Sequence, residues 1–353
     1  MAGAALLAGD EAEAVDPWPS FGPLPATHPI SPTSHALNGE TSMRAIVYNE
    51  FGGPDVLSLG HTDKPVPGPG EIRVKVVAVG VNPLDFKRRY GWVEQYYPTT
   101  FPAVPGLEFA GVVDAVGDGD GPGRVPGEPL AVGDEVFGFT STGAYAEYAL
   151  AGDIARKPAA LSFEAAAALP VAGETAQRVL DLLGLKAGET LLLHGAAGAV
   201  GQVAVQLAVA SGATVVGTAS PANHEFLRAL GAVPVAYGAG LADRVRAAAP
   251  QGVDAAFDAA GRDALPVSIA LCGGATERIV TIADMQAADH GVVFSAGGTP
   301  PEQVRAGLAA HARLAVEGRL AVPVVETFAL SDAAKAQELS EAGHVRGKLI
   351  IKI

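Results

Sequence analysis

Gly195, Gly198 and Gly201 stand three residues apart, directly after the apolar run Leu191-Leu192-Leu193-His194. From Gly195 to Ala199 no side chain is larger than a methyl group. A turn of this kind, entering a helix, lets phosphate groups sit against bare backbone. Free N–H groups and the helix dipole both favour negative charge there. The spacing departs from the common G-x-G-x-x-G pattern, and alone it would fit a turn that uses glycine only for close packing. Its context points to a dinucleotide: an apolar strand precedes it, an amphipathic helix follows, and a second strand comes next.

The end of that second strand decides which dinucleotide. An acid there would bind a ribose 2′-hydroxyl and repel a 2′-phosphate. The stretch Val216-Gly217-Thr218-Ala219-Ser220-Pro221-Ala222-Asn223-His224 holds no carboxylate before Glu225. Ser220 and Asn223 can donate hydrogen bonds, and His224 can add partial positive charge. This favours NADP(H) over NAD(H). Ser220 and Asn223 serve equally well as caps of a following helix, and the two roles are compatible. No Arg or Lys lies in the stretch; Arg228 is a turn further on.

The elements needed to position such a turn are legible around it. From about Val171 to Gly298 the pattern runs strand, helix, strand. Strands are predicted at Thr190–Leu193, Thr214–Thr218, Val233–Ala236, Val253–Phe257 and Arg278–Ile282, with helices at Val200–Ser211 and Ala222–Leu230. This alternation predicts an α/β doubly wound parallel sheet. From Met43 to about Leu169 the pattern is β-rich. Ile72–Val79 alternates and then turns fully apolar, Gly106–Val116 and Val132–Phe137 read as strands with turns, and Gly143–Ala149 alternates again. Frequent turns between short strands predict a small barrel-like domain. Pro301–Glu317 reads as a helix and Gly347–Ile353 as a short terminal strand.

Composition narrows the function classes. With 49% hydrophobic and 18% charged residues, large cores are within reach. The formal net charge of -14 argues against nucleic acid or an anionic membrane as partner. A single cysteine, Cys272, rules out an intrachain disulfide and a zinc site built from several thiolates, and suits a reducing cytoplasm. Residues 1–42 are acidic and then proline-rich, with little periodicity, and are expected to form a disordered tail.

Three stretches together resemble the medium-chain dehydrogenase/reductase superfamily, in its zinc-free quinone oxidoreductase and enone reductase branch. They are Gly143-Ala144-Tyr145-Ala146-Glu147-Tyr148, Leu169-Pro170-Val171-Ala172-Gly173-Glu174-Thr175-Ala176 and Ala196-Ala197-Gly198-Ala199-Val200-Gly201. The resemblance covers residues 43–353. It implies a GroES-like catalytic domain over 43–170, completed by 300–353, and a Rossmann domain over 171–299. It implies cofactor contacts at Thr175, at Ala197, Gly198, Ala199 and Val200, at Tyr237, at Ile282 and Ala283, at Phe294 and Ser295, and at Lys348. Tyr237 and Phe294 also suit ordinary packing, and Lys348 suits a solvated edge strand. Where zinc-dependent members carry metal ligands, this chain has Asn82 and Leu107. Leucine cannot ligate a metal and asparagine does so poorly, so no metal is expected.

The resemblance places Asn82 beside the nicotinamide ribose. Lys87, in Asn82-Pro83-Leu84-Asp85-Phe86-Lys87-Arg88-Arg89, resembles the pattern of plant-type enone reductases. Reduction of a quinone or an activated C=C bond leaves an oxyanion that must be stabilised. Lys87 could hold it by charge, or donate a proton if burial lowers its pKa; equally, Lys87, Arg88 and Arg89 suit a solvated helical face. Asp85 suits a cap or an anchor for Arg89. Tyr90, Trp92, Tyr96 and Tyr97 form an expected aromatic cluster, either roofing a pocket for a flat acceptor or packing on itself. The implied activity is NADPH-dependent reduction of quinones or enones. A tailoring enoyl reductase acting on a larger substrate, and a non-catalytic NADPH-binding sensor or structural protein, remain open. Val292-Val293-Phe294 suits the edge at which such proteins continue their sheet into a homodimer, or burial within one subunit.

Overall fold

The computed structural model describes residues 41–119 and 129–353. The expected disordered tail, but for its last two residues, and most of the loop 118–129 lie outside the described residues. The chain runs β1 (Ser42–Val47), β2 (Ser58–Asp63), β3 (Ile72–Val81), α1 (Pro83–Arg89), β4 (Glu108–Val116), β5 (Glu135–Thr140) and β6 (Tyr148–Arg156). There follow α2 (Phe163–Ala167), α3 (Pro170–Leu183), β7 (Thr190–His194), α4 (Ala199–Ala210), β8 (Thr214–Ala219), α5 (His224–Ala229), β9 (Val233–Ala236), α6 (Leu241–Ala248) and β10 (Ala255–Asp258). The last part comprises α7 (Ala264–Leu271), β11 (Ile279–Thr281), β12 (Val293–Phe294), α8 (Pro301–Val316), β13 (Val324–Ala329), α9 (Ala333–Ala342) and β14 (Lys348–Lys352).

Two sheets organise these elements. One is all parallel, in the order β12-β11-β10-β7-β8-β9. Its central strand β7 is buried at every residue, which is why it reads as an unbroken apolar run. The order reverses between β10-β7 and β7-β8, where doubly wound sheets open a crevice at their carboxyl ends. The other sheet runs β13-β14-β3-β4-β5-β6, and an extra β3–β6 pairing closes β3 to β6 into a small barrel. The last strand of the chain thus lies inside this sheet, between β13 and β3. The hairpin β1–β2 forms a separate antiparallel pair.

Two expectations are corrected. Gly143–Ala149 is not a strand; only Tyr148 and Ala149 belong to β6. Its alternation reflects a loop that buries Ala144, Tyr145 and Ala146 together. The expected helix Ala222–Leu230 is a 3₁₀ turn, Pro221–Asn223, followed by α5. Asn223, with φ -100° and ψ -1°, separates the two, and neither Ser220 nor Asn223 caps α5 through its side chain. Among the described residues no helix is long and apolar enough to cross a membrane.

Candidate active site

A cavity of about 440 Å³ lies between the carboxyl ends of the parallel strands and the α1–β14 side of the barrel sheet. Gly195, Gly198, Ala199, Val200 and Gly201 form one wall. Gly195 takes a left-handed φ of +73°, which favours glycine. A Cβ on Gly201 would stand 2.3 Å from the Gly195 carbonyl oxygen, so the helix can approach the turn only without one. Gly198 is open by contrast, with nothing nearer than 3.5 Å to such an atom. Inside the turn, Gly195 N donates to Thr218 Oγ1 (3.3 Å), Gly198 N to Gly195 O (3.1 Å) and Gln202 Nε2 to Ala197 O (2.6 Å). Ala197 is therefore engaged internally and does not line the cavity, whereas its three successors do. Helix geometry leaves the first N–H groups of α4 without intrahelical acceptors at this wall. A polar foundation lies beneath. His194 Nε2 meets Ser268 Oγ at 2.9 Å, and burial lowers its pKa to about 4. Asp258 accepts from Thr281 Oγ1 and from the N–H groups of Ala260 and Gly261.

Ser220, Asn223 and His224 follow β8, and Tyr237 follows β9, beyond the cavity but at the same carboxyl edge of the sheet. Asn223 Nδ2 donates to Ser220 Oγ (3.2 Å), and His224 Nε2 meets Ala219 O (3.3 Å). Tyr237 is half exposed. Ile282, Ala283, Phe294, Ser295 and Thr175 all line the cavity.

The opposite wall is built from side chains. Asn82, Lys348 and Glu108 form a buried cluster. Lys348 Nζ lies 2.5 Å from Glu108 Oε1 and donates to Asn82 Oδ1 at 2.6 Å. Asn82 Nδ2 donates to Glu108 Oε1 (2.8 Å), and Val171 N donates to Glu108 Oε2 (2.7 Å). Lys348 is thus not a solvated edge residue: its side chain is 2% exposed and its strand is internal. Both amide atoms of Asn82 are turned toward this cluster. Asp85 completes it, accepting from Asn82 N (2.8 Å) and Tyr145 Oη (3.1 Å). Burial raises its pKa to about 6. Asp85 caps α1 and does not anchor Arg89, which pairs with Glu341 of α9 at 2.8 Å. Glu108 escaped the sequence reading as a site residue. Its signal was an acid opening an apolar strand, with Gly80 opposite; a Cβ on Gly80 would meet Glu108 Oε1 at 2.1 Å.

Lys87 reaches the cavity from α1. Among the described residues no hydrogen bond or ion pair is recorded for its ammonium group. Desolvation lowers its pKa below the ordinary 10.5, opposed by the charge of Asp258. It is half-buried, so the solvated-face expectation does not hold for it, and Arg89 is fully buried. The expected aromatic cluster divides. Tyr90 stacks on Trp92 away from the cavity, whereas Tyr96 stacks on Phe294 at 5.4 Å within it. Tyr97 donates to Ala296 O. Glu174 and Arg178, an ion pair at 2.7 Å on α3, separate this cavity from a second one of about 320 Å³ between α3 and α8. The sequence reading missed Arg178 as a cavity residue.

Comparison with known proteins agrees with this architecture. Residues 68–159 match the alcohol dehydrogenase GroES-like domain family, and residues 230–351 match the zinc-binding dehydrogenase family. The chain is 38% identical over 226 residues to 2-methylene-furan-3-one reductase of Solanum lycopersicum, covering 58% of this chain and 56% of that protein. It spans about half the length of the curated relatives it matches. The solved quinone oxidoreductase of Coxiella burnetii is 33% identical with a TM-score of 0.77, over 88% of this chain and 99% of that one. A mycobacterial protein solved in complex with NADPH is 28% identical with a TM-score of 0.74, over 88% and 100%. With both domain types, their order and near-complete overlay in common, the chain belongs to the medium-chain dehydrogenase/reductase superfamily, among quinone oxidoreductase-like and enone reductase-like relatives.

Proposed function

We propose that this protein is an NADPH-dependent oxidoreductase that reduces quinones or the activated C=C bond of enones and enals without zinc. One observation carries the reading: Lys87 holds an ammonium without a partner among the described residues in the cavity whose far wall is the glycine turn. The turn fits a dinucleotide. Its open face at Gly198 and the free N–H groups of α4 suit a pyrophosphate, and a structural neighbour was solved with NADPH. Bound there, reduced nicotinamide supplies the hydride equivalent.

The residues of this chain do the rest. Tyr96 and Phe294 offer stacked rings to a flat acceptor. Lys87 stabilises the oxygen that becomes negative as the acceptor turns into an enolate or hydroquinone anion. Where a bound acceptor displaces water from the cavity, that charge acts more strongly than in water. Asn82, held by Lys348, Glu108 and Asp85, positions the start of α1 and hence Lys87. Zinc does not fit. Leu107 offers no donor, the Asn82 amide is engaged on both sides, and the Glu108 carboxylate already neutralises a lysine. Among the described residues no three His, Cys, Asp or Glu side chains cluster as metal ligands would.

The domain division 43–170 with 300–353 against 171–299 belongs to this reading, as does the cytoplasm as compartment, which the half-buried free Cys272 suits. So does a homodimer. The edge strand β12 leaves Val293 exposed, although Phe294 faces the cavity.

The test follows NADPH absorbance across quinones, alkenals and cyclic enones. Wild-type protein turns over at least one class, and Lys87→Ala lowers kcat by about 100-fold, the scale of one lost oxyanion contact, with NADPH affinity within about twofold. The basic limb of the wild-type pH profile falls below that of an ordinary lysine. Turnover unchanged in Lys87→Ala removes Lys87 from the mechanism. NADPH binding without turnover of any acceptor replaces the enzyme with a nucleotide sensor.

A further inference from the structure

The sequence around Ser220–His224 lacks the Arg or Lys that a 2′-phosphate calls for, and the fold brings one from the far end of the chain. Arg346 lies in the segment 343–347 between α9 and β14, on the barrel-sheet side of the molecule. Its guanidinium sits 5.2 Å from the ring of Phe226, on α5 of the nucleotide-binding side. Phe226 lies in the first turn of α5, three residues after Asn223, which precedes the helix. α5 follows directly on Asn223, so the cation sits against the helix into which the Ser220–Asn223 segment leads. Arg346 is exposed, and among the described residues no hydrogen bond or ion pair is recorded for it. In a chain of net charge -14, a cation without a carboxylate at this place stands out.

The same segment borders the cavity, which His344, Val345, Gly347 and Lys348 line. His344 takes a left-handed φ of +69°, strained for a residue with a side chain. The segment thus runs from the acceptor cavity to α5, touching both halves of the proposed dinucleotide site. Arg228, the cation nearer in sequence, lies in the last turn of α5, five residues past Asn223.

Resting on the NADPH reading above, we propose that Arg346 binds the 2′-phosphate of NADP(H) together with Ser220 and Asn223. The planar guanidinium fork matches phosphate geometry, and the Phe226 ring holds it in place while the site is empty. Nucleotide selectivity is then set by a residue outside the parallel-sheet unit, and a 2′-phosphate ties the C-terminal segment to α5.

Calorimetric titration of the full chain with 2′,5′-ADP, 5′-AMP, NADPH and NADH tests this without relying on turnover. For Arg346→Ala, affinity for 2′,5′-ADP and NADPH falls about 10- to 100-fold, the range of a charge-assisted hydrogen bond, while 5′-AMP and NADH change less than twofold. Arg346→Lys recovers part of the loss, and Arg228→Ala leaves all four affinities unchanged. Unchanged NADPH affinity in Arg346→Ala, or an equal loss for all four ligands, overturns the role of Arg346 while a wild-type preference for NADPH leaves the cofactor reading intact. A wild-type protein that binds NADPH no better than NADH overturns both.

Discussion

The two walls of the cavity are built by opposite means. On the parallel-sheet side the working surface is backbone, shaped by glycines within seven residues of one another, Gly195 to Gly201. On the barrel side it is a cluster of charged and amide side chains, in which Asn82 meets Lys348 across 266 positions of sequence and Glu108 across 26. A backbone site tolerates changes that keep the turn and fails when a methyl group enters it. A side-chain site in a dry interior fails when any one charge loses its partner.

The sharpest break in this contrast comes from Lys348→Met. It leaves the buried carboxylate of Glu108 without its cation, a change that costs about 3–5 kcal/mol in comparable buried pairs. Thermal unfolding should register a large fall in Tm. The double variant Lys348→Met/Glu108→Leu recovers part of it, because the uncompensated charge is gone even though Asn82 and Val171 lose an acceptor. If the double variant is no better than the single one, the cluster serves geometry and not charge balance.

The same contrast explains what could be read in advance. The glycine turn, the alternation of β7 to β11 and the β-rich first half are local patterns, and the strands fell within a few residues of their expected places. The residues after β8 and β9 were readable as part of the carboxyl edge of the sheet for the same reason. Glu108 and Arg178 were not, because their meaning lies in partners brought together by tertiary structure: Lys348 returning on β14, Ser295 arriving after β12. Tyr145 looked like part of a strand because its neighbours alternate small and polar residues, whereas a tight loop buries Ala144, Tyr145 and Ala146 together. Asp85 was legible as a cap, since an acid three residues after an asparagine is a local signal, but Arg89 found its acid on α9.

Acid separates the two walls more finely. His194, under the glycine turn, titrates near 4 in the folded protein against 6.5 ordinarily. The unfolded chain binds this proton first, so stability present above pH 6.5 is lost as pH falls toward 4, about 3 kcal/mol in all. Asp85 titrates near 6 against 3.8 ordinarily. Here the folded state binds the proton first, so stability rises by about 3 kcal/mol as pH falls from 6 toward 3.8. Between pH 6 and 4 the two contributions oppose each other. Melting curves across this window should show His194→Gln losing less Tm on acidification than wild type, and Asp85→Asn losing more. Parallel curves for all three proteins would mean that neither group carries its proton as burial dictates.

The finest test asks whether the backbone wall is a ligand site or only a packing device. Gly201→Ala cannot decide it, because the new Cβ would strike the Gly195 carbonyl and disturb the fold itself. Gly198 can decide it. Its φ of -74° and ψ of 167° suit alanine, and the added methyl meets nothing nearer than 3.5 Å within the protein. Only a group bound against the N-terminus of α4 would feel it. Gly198→Ala should therefore leave Tm within about 1 °C of wild type, in keeping with an unstrained substitution. Dinucleotide affinity measured by calorimetry should fall about tenfold, about 1.4 kcal/mol, through loss of close approach between phosphate and backbone. A variant that binds as tightly as wild type would place the pyrophosphate elsewhere and leave the three glycines as packing residues.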